Sequence, residues 1–196
     1  MAKHELGDLE RIRQNLERWL AQRLPDADDL SLDELKFPEE SGESSVTLLL
    51  SGRGTGGPVH CVCRMKPIDS HVFDSHDLQL QYRLMDIAGE AGVPVPSLFG
   101  YESDTSLVGS DFYIMEFIDG QIPTDNPPFA FGGWVTELDD AQRSLMWSNG
   151  LEAMARVHMI ELDKHDLPTL PRSEPGQSPI QHEVDKFDAM ITEQLR

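Results

Sequence analysis

Apolar residues recur at every third or fourth position at the start of the chain: Leu6, Leu9, Ile12, Leu16, Leu20 and Leu24, with charges between them. This spacing predicts an amphipathic helix through ELGDLERIRQNLERWLAQRL, ended by Pro25. The following DADDLSLD is acidic and reads as a loop, and Leu35 and Phe37 then mark a short strand. From Val46 the period changes. Val46-Thr47-Leu48-Leu49-Leu50 is an apolar, partly β-branched run of strand length, and Val59 to Arg64 alternates as its partner. Ser51 to Pro58 (SGRGTGGP) between them supplies the backbone freedom of a hairpin turn.

Helical spacing returns in HDLQLQYRLMDIAGEAG, with Leu78, Tyr82, Met85 and Ala88 on one face. Asp74 or Ser75 is its expected cap and Gly92 its stop. Val93-Pro94-Val95-Pro96 is extended. Leu98 to Tyr101 and Phe112 to Ile118 then read as strands. Residues 1–120 thus form an α+β lobe, an antiparallel five-stranded sheet plus a packed helix, preceded by the N-terminal helix. Residues 121–135, rich in Pro, Gly and aromatics, have no clear period and read as a linker. Residues 136–196 read as mainly α. Thr136-Glu137-Leu138-Asp139 is the expected capping box of a long helix through about Leu162, with Leu138, Ala141, Leu145, Met154, Val157 and His158 on its apolar side. A Pro-rich loop and a helix from about Ile180 follow.

Composition narrows the possible partners. The 196 residues suffice for a real core. A formal charge of −19 argues against non-specific nucleic-acid binding and against anionic membrane surfaces. No stretch approaches the ~20 continuous apolar residues of a membrane span, and MAKHELGDLERIR lacks the features of a secretory signal. With Cys61 and Cys63 as the only cysteines there is no disulfide framework, and a cytoplasmic setting is the expectation.

Several constellations of reactive residues have plain structural readings. Cys61 and Cys63 lie on one strand face and read as core packing, since no second Cys pair accompanies them for a metal. His158 reads as a core histidine, and His71 and His76 as residues of a helix entry or surface. Asp28-Asp29 and Asp139-Asp140 read as solvated charge.

Taken in order, four stretches carry a family resemblance: SGESSVTLLL, CVCRMKP, SHDLQLQYRLMDIAGEAGVPVP and DFYIMEFIDGQIP, with LEAMARVHMIELDKHDL after them. Through them the chain resembles the aminoglycoside phosphotransferase / choline-kinase-like family, closest to the branch related to the domain fused to acyl-CoA dehydrogenases. The resemblance implies a protein-kinase-like N-lobe that binds ATP and Mg²⁺, followed by the first helices of a mainly α C-lobe. It implies γ-phosphoryl transfer to the hydroxyl of a small-molecule acceptor.

Carried over to this sequence, the resemblance has Ser41 to Ser45 arching over the phosphates, with the amides of Gly42, Glu43 and Ser44 nearest. Arg64 is the phosphate-reaching cation, with Lys66 a second candidate on the same strand face. Glu116 and Phe117 present backbone groups to the adenine.

Two departures from the family pattern stand out. Gln81 occupies the place of the glutamate that normally clamps the cation. No His-Gly-Asp catalytic loop occurs anywhere in the chain, so the resemblance assigns no catalytic residue and no metal ligand. On this reading residues 136–196 begin a C-terminal lobe that they do not complete, and the chain alone is inactive. The alternative is a non-catalytic nucleotide-binding or interaction module. Its exposed helical faces then invite self-association or a partner.

Overall fold

A computed structural model describes residues 7–25, 27, 29–38, 45–66 and 77–194. They fall into two compact units, Met1–Glu161 and Leu162–Arg196.

The first helix, α1 (Leu9–Ala21), is opened by Asp8, whose carboxylate accepts from the amides of Glu10 and Arg11. It buries Ile12, Leu16, Trp19 and Leu20, the stripe expected from their spacing. Beyond it, five strands form one sheet: β1 (Ser31–Leu32), β2 (Val46–Gly54), β3 (Gly57–Met65), β4 (Leu98–Glu102) and β5 (Phe112–Glu116). Their spatial order is β1-β2-β3-β5-β4, and every pairing is antiparallel. The α+β class and the five-stranded antiparallel sheet match the reading from sequence.

Alternation sorts the two sheet faces. Leu48 pairs with Cys63, and Cys63 with Ile114; Val46 pairs with Met65, and Met65 with Phe112. These residues share one face and form a single buried cluster with the α1 stripe. Cys61 and Cys63 are therefore packing atoms, 2% and 0% exposed, and burial pushes the Cys61 thiol up to about 11 and that of Cys63 higher still. The other face carries Arg64, Tyr113 and Tyr101, successive cross-strand partners. The helix α2 (Leu78–Glu90) packs there: the Tyr82 ring lies 6.0 Å from those of both Tyr101 and Tyr113.

Several boundaries differ from expectation, each for a local reason. The hairpin strands run on through Ser51–Gly54 and Gly57–Pro58, leaving only Thr55-Gly56 as the turn. Pro58 is tolerated because β3 pairs with β5 only over Cys61–Met65, so no β5 acceptor awaits its missing N–H. The first strand falls at Ser31–Leu32, whereas Lys36 makes only an isolated bridge to Leu49. Asp77 caps α2 by accepting from the Leu80 amide, while the expected caps Asp74 and Ser75 lie outside the described residues, as do His71 and His76. β5 stops at Glu116 instead of Ile118, and the side chains of Phe117 and Ile118 turn out to solvent.

Residues 117–133 form no strand or helix, and a 3-10 turn over Trp134–Glu137 precedes α3 (Asp140–His158). The capping box sits one turn later than Thr136: Asp139 accepts from the Gln142 amide while Gln142 accepts from that of Asp139. Thr136 instead donates its hydroxyl to the Gly133 carbonyl. α3 ends at His158, and none of its residues is buried, so His158 is exposed and is not a core histidine. In the second unit a 3-10 turn at Leu162–Lys164 is followed by α4 (Pro179–Gln194).

Candidate functional site

The site grows from the centre of β3. Arg64 stands between Thr47 on β2 and Tyr113 on β5 and projects on the face that α2 covers. Its Nη2 donates to the Ser45 hydroxyl at 2.9 Å. Its Nε is buried and, among the described residues, has no hydrogen-bond partner. A buried donor without a partner costs on the order of 1–3 kcal/mol, so this atom is a candidate place for an acceptor to bind. Among the described residues, no carboxylate lies within ion-pair distance of Arg64. Burial pushes the Tyr113 phenol up, and the Arg64 charge beside it works in the opposite direction.

Ser45 itself is 7% exposed and immediately precedes β2. It adjoins Ser41, Gly42, Glu43 and Ser44, which lie outside the described residues. Lys66 follows the last residue of β3; its amide donates to the Asp111 carbonyl at 3.4 Å and its side chain is exposed. It keeps the strand parity of Arg64, although the ladder has ended. Gln81 is half-buried on the first turn of α2, and its amide donates to the Asp77 carbonyl. Among the described residues no hydrogen bond joins it to Arg64. The nearest link is indirect, since its neighbour Tyr82 packs on Tyr113, the cross-strand partner of Arg64.

Glu116 and Phe117 lie three and four residues along β5 from Tyr113, roughly 10–14 Å at the rise of a strand. Both of their amide hydrogens are engaged: Glu116 donates to the Ser97 carbonyl at 2.8 Å and Phe117 to the His60 carbonyl at 3.3 Å. The Glu116 carboxylate accepts from the Ser97 hydroxyl at 2.8 Å and from its amide at 3.2 Å, which holds its pKa below the usual carboxylate range. Neither amide is therefore free for a ligand. The fold thus groups Ser45, Arg64 and Tyr113, with Gln81 one residue from their aromatic neighbour. It sets Glu116 and Phe117 at the far end of β5 and Lys66 just off the end of β3.

Two relationships escaped the reading of the sequence. Ser45 is expected from the sequence as the last residue of the phosphate-covering segment, but not as the hydrogen-bond partner of Arg64. All three tyrosines of the chain, Tyr82, Tyr101 and Tyr113, meet in one cluster that fastens α2 to the sheet. Strict alternation from Ile114 would place Tyr113 beside Arg64; the helical period puts Tyr82 on the packed face of α2 but does not say which residues it meets.

A half-buried cation on the third strand of this sheet, under a packed helix, with an edge of the sheet leading into an irregular linker, defines a kinase-like N-terminal lobe. Residues 40–191 match the APH phosphotransferase enzyme family, and the chain belongs to that family. It is 30% identical over 149 residues to acyl-CoA dehydrogenase family member 11 of Gallus gallus, which covers 76% of this chain and 18% of that protein. Acyl-CoA dehydrogenase family member 10 of Mus musculus is 29% identical over 106 residues, covering 54% of this chain and 9% of the other. In fold, the chain resembles the crystal structure of a candidate aminoglycoside phosphotransferase from Ralstonia eutropha JMP134. The TM-score is 0.54 with 23% identity, over 81% of this chain and 41% of that one. The chain therefore spans under a fifth of these curated relatives and less than half of that crystal structure.

Proposed function

We propose that this chain is the nucleotide-binding part of an ATP-dependent phosphotransferase that moves the γ-phosphoryl group to a hydroxyl of a small molecule. The observation that carries this reading is Arg64: a cation whose buried Nε has no partner among the described residues, beside the entrance to β2, in a chain of the phosphotransferase family. A phosphate oxygen supplies the acceptor that Nε lacks, and a charge-assisted bond of that kind is among the stronger hydrogen bonds. In this reading Arg64 holds the α/β-phosphates, Ser41 to Ser45 cover them, and the backbone at Glu116 and Phe117 faces the adenine end.

ATP, when bound, supplies the phosphoryl group; this chain's residues grip and orient it. Among the described residues no group of three His, Cys, Asp or Glu side chains is arranged to hold a metal ion, so no residue here is assigned to Mg²⁺. The absence of a His-Gly-Asp from the sequence leaves the alignment of the acceptor hydroxyl without a residue, and this chain by itself is expected to bind rather than to turn over. Titration of ATP into the wild-type and Arg64→Ala proteins tests the reading.

A second reading has its own observation. On α3 Leu145, Trp147 and Leu151 are each more than half exposed, and on α4 so are Ile180, Val184, Phe187 and Ile191. Such faces fit an interaction module that self-associates or binds a partner. Light scattering separates the two, since a clean monomer together with Arg64-dependent ATP binding favours the nucleotide lobe alone. Among the described residues no helix is long and apolar enough to cross a membrane.

A further inference from the structure

The helix α4 carries Ile180, Val184, Phe187 and Ile191 at alternating steps of four and three residues, which sets them in one row along its length. Each of the four is more than half exposed. An open groove of about 650 Å³ follows the row, and its only charged walls are Glu183 and Asp188. By helical geometry these two carboxylates flank the row about 70° to either side. The loop before α4 meets a different side of the helix, where Gln177 donates to the Asp185 carboxylate at 2.7 Å and His182 is half-buried.

We propose that this row docks an amphipathic helix of a partner protein, with Lys or Arg on both flanks of that helix's own apolar row. The proposal names the partner for the interaction reading above and rests on that reading. Burial of the four large side chains drives the contact, and the carboxylates select the flanks. Asp188 makes no ion pair among the described residues. Glu183 has only an exposed contact with Lys186 at 3.7 Å, of a kind that contributes little. A covering helix without cations would take water from both carboxylates and return nothing.

A second copy of this chain does not meet that need. In a parallel pair Glu183 would face Asp188 along each edge, and in an antiparallel pair the two would face Met190 and Gln181. Neither arrangement brings a cation to a carboxylate, and each joins two chains of formal charge −19.

The test is fluorescence anisotropy of three labelled synthetic peptides titrated with the full chain. Two are amphipathic helices sharing one Leu row, flanked by Lys in one and by Glu in the other; the third is a scrambled Lys peptide. Saturable binding of the Lys-flanked helix, roughly tenfold or more tighter than of either other peptide, is the expected result. Phe187→Ser is expected to weaken it by a similar factor, and Glu183→Lys with Asp188→Lys to turn the preference towards the Glu-flanked helix. All three positions are exposed, so the fold does not rest on them. Equal binding of the scrambled peptide, or of neither helix by the folded chain, overturns the proposal. Equal binding of both helices, lost with Phe187→Ser, overturns the partner's charge while the interaction reading stands. A dimer in light scattering that Phe187→Ser dissolves makes a second copy the occupant, and overturns it as well.

Discussion

The guanidinium of Arg64 reaches across from β3 to donate to the hydroxyl of Ser45, 2.9 Å away at the first turn into β2. This bond ties the cation of the site to the residue that adjoins the segment Ser41–Ser44. Ser45→Ala leaves the charge and removes one acceptor. It is expected to lower stability by about 1 kcal/mol and to weaken nucleotide binding only a few-fold. Urea unfolding and an ATP titration measure the two effects. A loss of binding as large as that from removing Arg64 itself would mean that Ser45 holds the ligand as firmly as the cation does.

Gly52 sits opposite Val59 where β1 crosses close to β2. A Cβ on it would collide with the Ser31 carbonyl oxygen and come within 2.9 Å of the Leu32 Cα. The backbone of β1 cannot yield as a flexible side chain can. Gly52→Ala is expected to destabilise by about 2 kcal/mol or more, chiefly by detaching β1. Hydrogen exchange at Asp33, whose amide donates to the Ser51 carbonyl, reports that detachment directly. Unaltered exchange there would contradict the account.

How much of this was legible beforehand depended on whether one element decides its own conformation. β2, β3 and β5 were found because Val46–Leu50, Val59–Arg64 and Phe112–Glu116 carry strand patterns in themselves. Ser31–Leu32 was not, because two residues have no period and their pairing is set by Arg53 and Gly52 elsewhere. Asp139 displaced Thr136 as a cap because the reciprocal partner, Gln142, lies three residues after Asp139. For the site, Arg64 could be read from its strand and from the family likeness. Its hydroxyl partner follows only from the register of β2 on β3, and the tyrosine cluster arises only when β4, β5 and α2 come together. His158 was misjudged because an apolar helical stripe predicts burial only when another element covers it, and α3 buries none of its residues.

Acid should weaken this protein in a definite window. The Arg13 and Gln14 side chains hold the Glu10 carboxyl at about 2. The carboxyls of Asp29, Glu102, Asp104 and Glu116 are likewise held below their usual values, mainly by hydrogen bonds from Thr55, Asp104, Ser106 and Ser97 respectively. A carboxyl with a lower pKa folded than unfolded leaves the unfolded chain binding more protons in acid. The stability it contributes is therefore present above the unfolded value, about 4, and is lost as pH falls through the folded one. The urea midpoint is expected to hold steady from pH 7 to about 5 and to fall towards pH 2. A flat midpoint across that range would contradict these bonds.

Arg156 on α3 donates to the carbonyl of Gly92, just past the end of α2, and pairs with Glu152. This contact joins the long helix to the lobe at a point where cationic donors suit the carbonyl end of a helix. Arg156→Met keeps the stem and removes the donors. Faster amide exchange in α3, with the sheet unaffected, is the expected outcome; equal exchange would show that apolar contacts alone seat the helix.

The central claim is that Arg64 is the grip for a nucleotide. Calorimetric titration of ATP, with and without Mg²⁺, into the full chain and into Arg64→Ala tests it most directly. Saturable binding to the wild type, weakened roughly 10- to 100-fold by the substitution, is the result expected for losing a hydrogen-bonded charge worth about 1.5–3 kcal/mol. Equal binding by both proteins, or no saturable binding by a folded wild type, would contradict the claim.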